Sequence, residues 1–182
     1  MKRALCLFFA ILFAFSFSSC VFTPSHAYPE KTFTQDGLTL ILTEAFSFAE
    51  PAPEGMTFAL ESTQVVVFVK KEPYERSLDD LHNEVPMRVH VSNYVLALRE
   101  ANLDKSPSGI VMDTLYSTDE NGETVETFVY HFTYTTEDDY TYFTTAVLGT
   151  DVAYTIQFVT RTSTARTYRS YLVGWTARAV AE

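Results

Sequence analysis

The 182-residue chain predicts an α+β fold in which helices cover an antiparallel sheet, and three observations carry that prediction. Short apolar or Thr/Tyr-rich runs bounded by turn residues, at about 37–48, 57–72 and 110–160, read as strands. Two stretches switch to helical spacing, one between Pro86 and Asn102 and one from about Ala165 to Ala181. Between two of the strand runs sits Asn121-Gly122, the strongest short-range hairpin signal, which makes neighbouring strands antiparallel there.

Residues 28–35 are a polar lead-in. After Gly37, Leu38, Leu40 and Leu42 point to one side and Thr39, Ile41 and Thr43 to the other, the pattern of a half-buried strand. Turn chemistry alone makes Glu50–Gly55 a loop. Thr57–Glu72 reads as a strand pair whose second member, Val65–Val69, is apolar on both faces and therefore central and covered. Ser77-Leu78-Asp79-Asp80 resembles a capping box, and Pro86 stops any single long helix from passing through. Beyond it Val91, Tyr94, Val95, Leu98 and Ala101 form one apolar stripe, with Arg99 and Glu100 outside, and Ser106–Gly109 ends the helix.

A meander follows: strands at 110–117, 125–135, 140–148 and 152–160, joined by turns at Asp119–Gly122, Glu137-Asp138-Asp139 and Gly149–Asp151. Facing Thr135 with Tyr140 across the acidic turn sets Phe132 against Phe143 and Phe128 against Val147 on one face. It sets His131 against Thr144 and Thr133 against Tyr142 on the other. In the last helix Tyr168, Tyr171, Leu172, Trp175 and Ala179 share a side, while Arg166, Arg169 and Arg178 face solvent. Gly174 costs that helix about 1 kcal/mol relative to Ala, so a close approach to the sheet is expected there.

The first residues carry an address. Lys2 and Arg3 precede an apolar run from Ala4 to about Phe17, which reads as a secretory signal. Ser25-His26-Ala27 supplies a small-x-small cleavage site before Tyr28, the reading adopted here. The alternative is a lipoprotein signal over 1–19, because Phe17-Ser18-Ser19-Cys20 resembles a bacterial lipobox with Cys20 as the lipidated first residue. Cleavage after Ala27 removes Cys6 and Cys20, the only cysteines, and with them disulfides, thiolate metal sites and cysteine nucleophiles. It leaves a single domain, 28–182, with no integral membrane segment. Lys2 and Arg3 are the only charges removed, so 11 basic face 23 acidic residues, a formal −12. Such a surface repels phosphate backbones, and nucleic acid is not an expected partner.

Residues that carry chemistry are scarce. His82 and His90 flank Pro86 without the three or four convergent ligands of a zinc site, and both read as capping or surface histidines. Phe128 stands where a calcium loop built on Asp119–Gly122 would need its acidic ligand. There is no Gly-x-Ser-x-Gly elbow and no glycine-rich phosphate loop among six glycines. No catalytic residue, metal site or cofactor is therefore expected. Aromatic residues, 15% of the chain, remain as the signal, and Tyr140 and Tyr142 beside the acidic turn are the candidate partner-contact surface.

The order of these segments resembles the PsbP-like superfamily, in particular its small exported bacterial members. The resemblance rests on TFTQDGLTLILTEAFSF, the helix around VSNYVLALREANL, the Thr/Tyr-rich strands and the closing helix with Trp175, and spans about residues 32–182. It implies a three-layer α-β-α sandwich around a central antiparallel sheet of about six strands. Members are chiefly binding and assembly proteins without a shared catalytic constellation, so no site residue carries over. The expectation is a secreted or surface-attached, non-catalytic binding or accessory protein of the bacterial cell envelope. Its partner would be an unidentified protein or carbohydrate, and the alternative is an envelope hydrolase using paired carboxylates.

Overall fold

The computed structural model describes residues 29–43, 45–76, 84–119 and 121–182. The expected signal segment, with Cys20, and Ser77 and His82 lie outside them. The strands are β1 (Glu30–Gln35), β2 (Leu38–Thr43), β3 (Ser47–Phe48), β4 (Phe58–Glu61), β5 (Val65–Pro73), β6 (Val111–Thr118), β7 (Thr124–Thr135), β8 (Tyr140–Leu148), β9 (Val152–Arg161) and β10 (Val180–Ala181). Helix α1 is Met87–Glu100 and α2 is Thr162–Ala177. Among the described residues no helix is long and apolar enough to cross a membrane.

Seven strands form one sheet in the order β3-β4-β5-β9-β8-β7-β6, antiparallel at every pairing. About six are expected, and the two-residue β3 adds an edge. The half-buried strand expected after Gly37 is β2, but it stands at the centre of a second sheet, β1-β2-β10, and not in the large one. What looks like a polar lead-in is β1, turned onto β2 by Asp36 and Gly37 at φ 53° and 85°. Two successive positive-φ residues make the two-residue turn whose twist matches paired strands, and Asp-Gly is its sequence signal.

Both faces of the large sheet are covered. On one, Val65, Val67, Val69, Phe143, Ile156 and Phe158 pack against α2 through Leu172 and Trp175, and against β2 through Leu38, Leu40 and Leu42. On the other, Phe132, Tyr134 and Ala146 pack against α1 through Val95, with Val91, Tyr94 and Leu98 around it. The expected α-β-α layering holds, with the small sheet sharing a layer with α2.

The β7–β8 register is one residue away from the expected one. Thr133 faces Phe143, Phe132 faces Thr144 and His131 faces Thr145. The turn explains the slip. The Asp139 N–H donates to the Thr136 carbonyl at 3.1 Å, Asp139 takes φ 63°, and the Thr136 N–H donates to the Tyr140 carbonyl at 2.9 Å. Thr136, not Thr135, therefore faces Tyr140. Because side chains alternate, the slip moves Phe132 to the α1 face, Phe143 to the α2 face and His131 away from Tyr142.

Three smaller differences follow from packing. His90 is buried in α1, with Nδ1 3.1 Å from Tyr74 Oη, and is not a surface histidine. Helix α2 ends at Ala177, not Ala181, because Val180–Ala181 pair with Thr39 and Leu38 of β2. No atom outside its own helix lies within 4 Å of where a Cβ on Gly174 would sit, so that glycine marks open space and not a close approach.

Gly37 combines two reasons for glycine, a positive φ and no room for a Cβ. A Cβ there would meet Tyr154 Oη at 2.7 Å, and that hydroxyl donates to the Asp36 carbonyl at 2.6 Å. Gly37→Ala is expected to lower unfolding free energy by about 1–3 kcal/mol, measured by chemical denaturation, through positive-φ strain and displacement of Tyr154.

Candidate functional site

A groove of about 600 Å³ opens where α2, the end of β2 and the β4–β5 turn meet. One wall is the helix. Tyr168, Tyr171 and Trp175 recur at three- and four-residue spacing and so share a side of α2, and Arg178, just past the helix end, continues the row. Their rings form a chain, Tyr168 to Tyr171 at 6.1 Å between centroids and Tyr171 to Trp175 at 6.1 Å. Trp175 is anchored below, edge-on against Phe46 at 5.3 Å and tilted on Phe158 at 5.9 Å. Trp175 is itself 4% exposed, so it forms the floor, and Tyr168 and Tyr171 held against it present the contact area with little motion left to lose.

The opposite wall is polar and neutral. Ser62 Oγ accepts from the Val65 N–H at 3.0 Å and closes the β4–β5 turn, which leaves Thr63 and Gln64 exposed over the groove. Thr160 Oγ1 donates to the Gln64 carbonyl at 2.9 Å and ties the turn to β9. At the rim Arg178 Nη1 lies 2.6 Å from both carboxylate oxygens of Glu30, so both charges are matched. Gly174 stands between Tyr171 and Trp175 in the wall, where any side chain would project into the groove.

The tyrosines expected as a contact surface are elsewhere. Tyr140 and Tyr142 lie on the α1 face of the sheet, both half-buried. The Arg161 guanidinium sits 4.6 Å above the Tyr140 ring, and Tyr142 stacks on the buried Tyr134 at 4.7 Å and 8° between planes. The structure places the two side by side but not in the groove. Four separate segments supply the groove's walls; the stripe Tyr168, Tyr171, Trp175 was visible as a helix face, and nothing in it distinguished groove wall from core.

A polar cluster lies under α2 on the other half of that face. His131, 2% exposed, donates from Nε2 to Asp113 Oδ2 at 2.7 Å and stacks on Phe143 at 4.1 Å. Arg169 Nη2 reaches Asp113 at 3.2 and 3.3 Å, which joins β6, β7 and α2 in one contact. Burial pushes the His131 imidazole below its ordinary value, against the opposing pull of Asp113. Asp113 also feels desolvation, which acts upward, but hydrogen bonds and charge from His131 and Arg169 hold it below the usual carboxylate range. Asp119, at the β6–β7 turn, is lowered by backbone N–H groups of Glu123 and Asn121 that bind its carboxylate. Among the described residues no three His, Cys, Asp or Glu side chains converge as metal ligands.

No protein-family model and no curated protein matches the chain. Among solved structures it is similar to the solution structure of cyanobacterial PsbP (CyanoP) from Synechocystis sp. PCC 6803. Identity is 11% and the TM-score 0.46, over 92% of this chain and 99% of that one. That protein belongs to the family the segment order resembles.

The directions at His131 and Asp113 make stability acid-sensitive. A histidine whose folded value lies below 6.5 contributes fully above that pH, and the contribution falls as pH drops toward the folded value. The Asp113 contribution is present above the ordinary carboxylate value of 3.8 and is lost as pH falls through the lower folded value. Urea denaturation from pH 8 down to 4.5 is expected to show a decline beginning near 6.5 that His131→Gln flattens. An unchanged slope in the variant would assign the decline to other groups.

Proposed function

We propose that the chain is a secreted or surface-attached, non-catalytic binding or accessory protein of the bacterial cell envelope, and that it holds a neutral carbohydrate in the groove along α2. The observation that carries the reading is Gly174: a helix interior gives up about 1 kcal/mol there, and the space so left is groove. The groove's volume suits a small ligand, since such sites commonly span about 300–1,000 Å³. Sugar rings present C–H faces to aromatic side chains and hydroxyls to neutral polar groups, and the two walls offer these in that arrangement. Glu30 and Arg178 cancel at the rim, so the lining favours no net charge on the ligand.

The hydrolase alternative needs two carboxylates within about 5–10 Å of each other across a bound glycoside. Glu30 is the one carboxylate among the described lining residues, and Arg178 occupies it. An envelope protein as partner requires no such pair and remains an outcome of the same assay.

Trp175 is the only tryptophan of the chain, so its emission reports on the groove directly. Titration with neutral cell-envelope oligosaccharides is expected to shift or quench that emission. Gly174→Leu, which fills the space while favouring helix, and Tyr171→Ala are expected to weaken binding tenfold or more at unchanged circular dichroism. Tyr140→Ala with Tyr142→Ala should leave the titration as it is. Loss of binding in the tyrosine pair alone would move the site to the α1 face, and new reducing ends during incubation would favour the hydrolase.

A further inference from the structure

Strand β6 is an edge of the large sheet, paired with β7 and, among the described residues, with nothing on its outer side. The direction of its backbone groups follows from the turn. The Asp119 N–H donates to the Glu123 carbonyl at 2.9 Å, and the register runs without a bulge from Thr118↔Thr124 to Val111↔His131. Antiparallel pairs alternate, so Val111, Asp113, Leu115 and Ser117 turn their amides and carbonyls to β7. Met112, Thr114, Tyr116 and Thr118 turn theirs outward.

An edge of this length is ordinarily blunted by lysine, proline, a bulge or an inward-pointing charge. Val111–Thr118 contains no lysine and no proline, and its register is unbroken. Its one blunting feature is the inward-pointing Asp113, which His131 and Arg169 match on the α2 face, away from the side that carries Met112 and Tyr116. Toward the α1 face the same strand exposes Met112 and Tyr116, at 53% and 67% of their full surface. The edge therefore offers a row of backbone donors and acceptors, two large apolar side chains and no unmatched charge.

We propose that this edge pairs antiparallel with the β6 edge of a second copy, about a two-fold axis through Thr114. In that register the outward groups of Met112, Thr114 and Tyr116 meet those of Tyr116, Thr114 and Met112 of the second copy. Each Met112 then packs beside a Tyr116, the most exposed apolar pair of the edge, and Asp113 lies opposite Leu115, so that no like charges face each other. The acidic turns from Asp119 to Glu123 fall at opposite ends, each alongside Gly109 of the other copy. Acidic residues do flank the seam: exposed Glu126 pairs with Tyr116 one strand back, and in this register the two copies' Glu126 residues fall on either side of the axis and not opposite each other. The site is independent of the groove, whose polar wall is the β4–β5 turn on the other half of the sheet.

Sedimentation velocity of the purified protein across about 1–200 μM is expected to show a monomer–dimer equilibrium. Thr114→Pro removes an outward N–H and leaves the β7 ladder intact, which makes it tolerable on an edge. Met112→Lys with Tyr116→Lys places cations on the seam by a route that does not disturb the backbone. Both variants are expected to raise the dimer dissociation constant at least tenfold while circular dichroism stays unchanged. A wild-type protein that stays monomeric throughout overturns the proposal. A dimer that neither variant weakens also overturns it, because the interface then lies elsewhere, and so does a monomer whose β6 amides are protected only by a different protein's strand.

Discussion

Strand β9 stands fourth of seven in the large sheet and is buried along both faces. Tyr154, Ile156 and Phe158 face α2 and the small sheet, while Ala153, Thr155 and Val159 face the α1 side. A central strand without a solvated face has to be covered twice, which is why the molecule has three layers. Cover on the α2 side has to be shared. A helix about 10–12 Å wide spans two or three strands set about 4.8 Å apart, and this sheet has seven. The remainder is closed by β2, whose Leu38, Leu40 and Leu42 are completely buried against it.

Two unlike elements side by side leave a seam, and the groove is the end of that seam. Phe46, just past β2, meets Trp175 of α2 there, and the β4–β5 turn closes the third side. Were α2 uninterrupted by Gly174, a side chain between Tyr171 and Trp175 would fill what the layer mismatch leaves open. The proposed site is thus a consequence of how the central strand is covered, and its chemistry is set by which residues happen to line the junction. Rings come from the helix because its inner stripe is aromatic. Neutral polar groups come from the β4–β5 turn because turns carry Ser, Thr and Gln.

Local patterns were legible wherever local chemistry decides. The Leu38–Leu40–Leu42 alternation, the Val65–Val69 strand, the α1 stripe and the Asn121-Gly122 hairpin all appear where periodicity and turn residues put them. Asp36-Gly37 carries a hairpin signal equal to that of Asn121-Gly122, but the strand before it, β1, is polar and shows no apolar alternation to pair with that signal. Its burial pattern exposes every residue but Phe33 and half-buried Gln35, so hydrophobic alternation says little there. The end of α2 was illegible for another reason: Val180 and Ala181 leave helical spacing to take the open edge of β2, a partner about 140 residues away in sequence. The groove was illegible because its walls come from four stretches that only the tertiary fold brings together.

The β7–β8 slip shows what sets a register when pattern alone is ambiguous. Pairing Phe132 with Phe143 satisfied the rule that like burial meets like, yet both phenylalanines are buried in the observed register too, one on each face. With both faces covered, apolar alternation no longer separates the two registers. Two other features do. Asp139 accepts a positive φ, as aspartate does more readily than most residues, and that makes Thr136 the partner of Tyr140. His131 must share a face with Asp113 and Arg169. That contact fixes which face β7 turns to α2, so a one-step slip of β8 would bring Thr144 and Tyr142 to that face and take Phe143 off the His131 ring, on which it stacks at 4.1 Å. The register is therefore held by a turn at one end and the His131 contacts in the middle, neither of which hydrophobic pattern records.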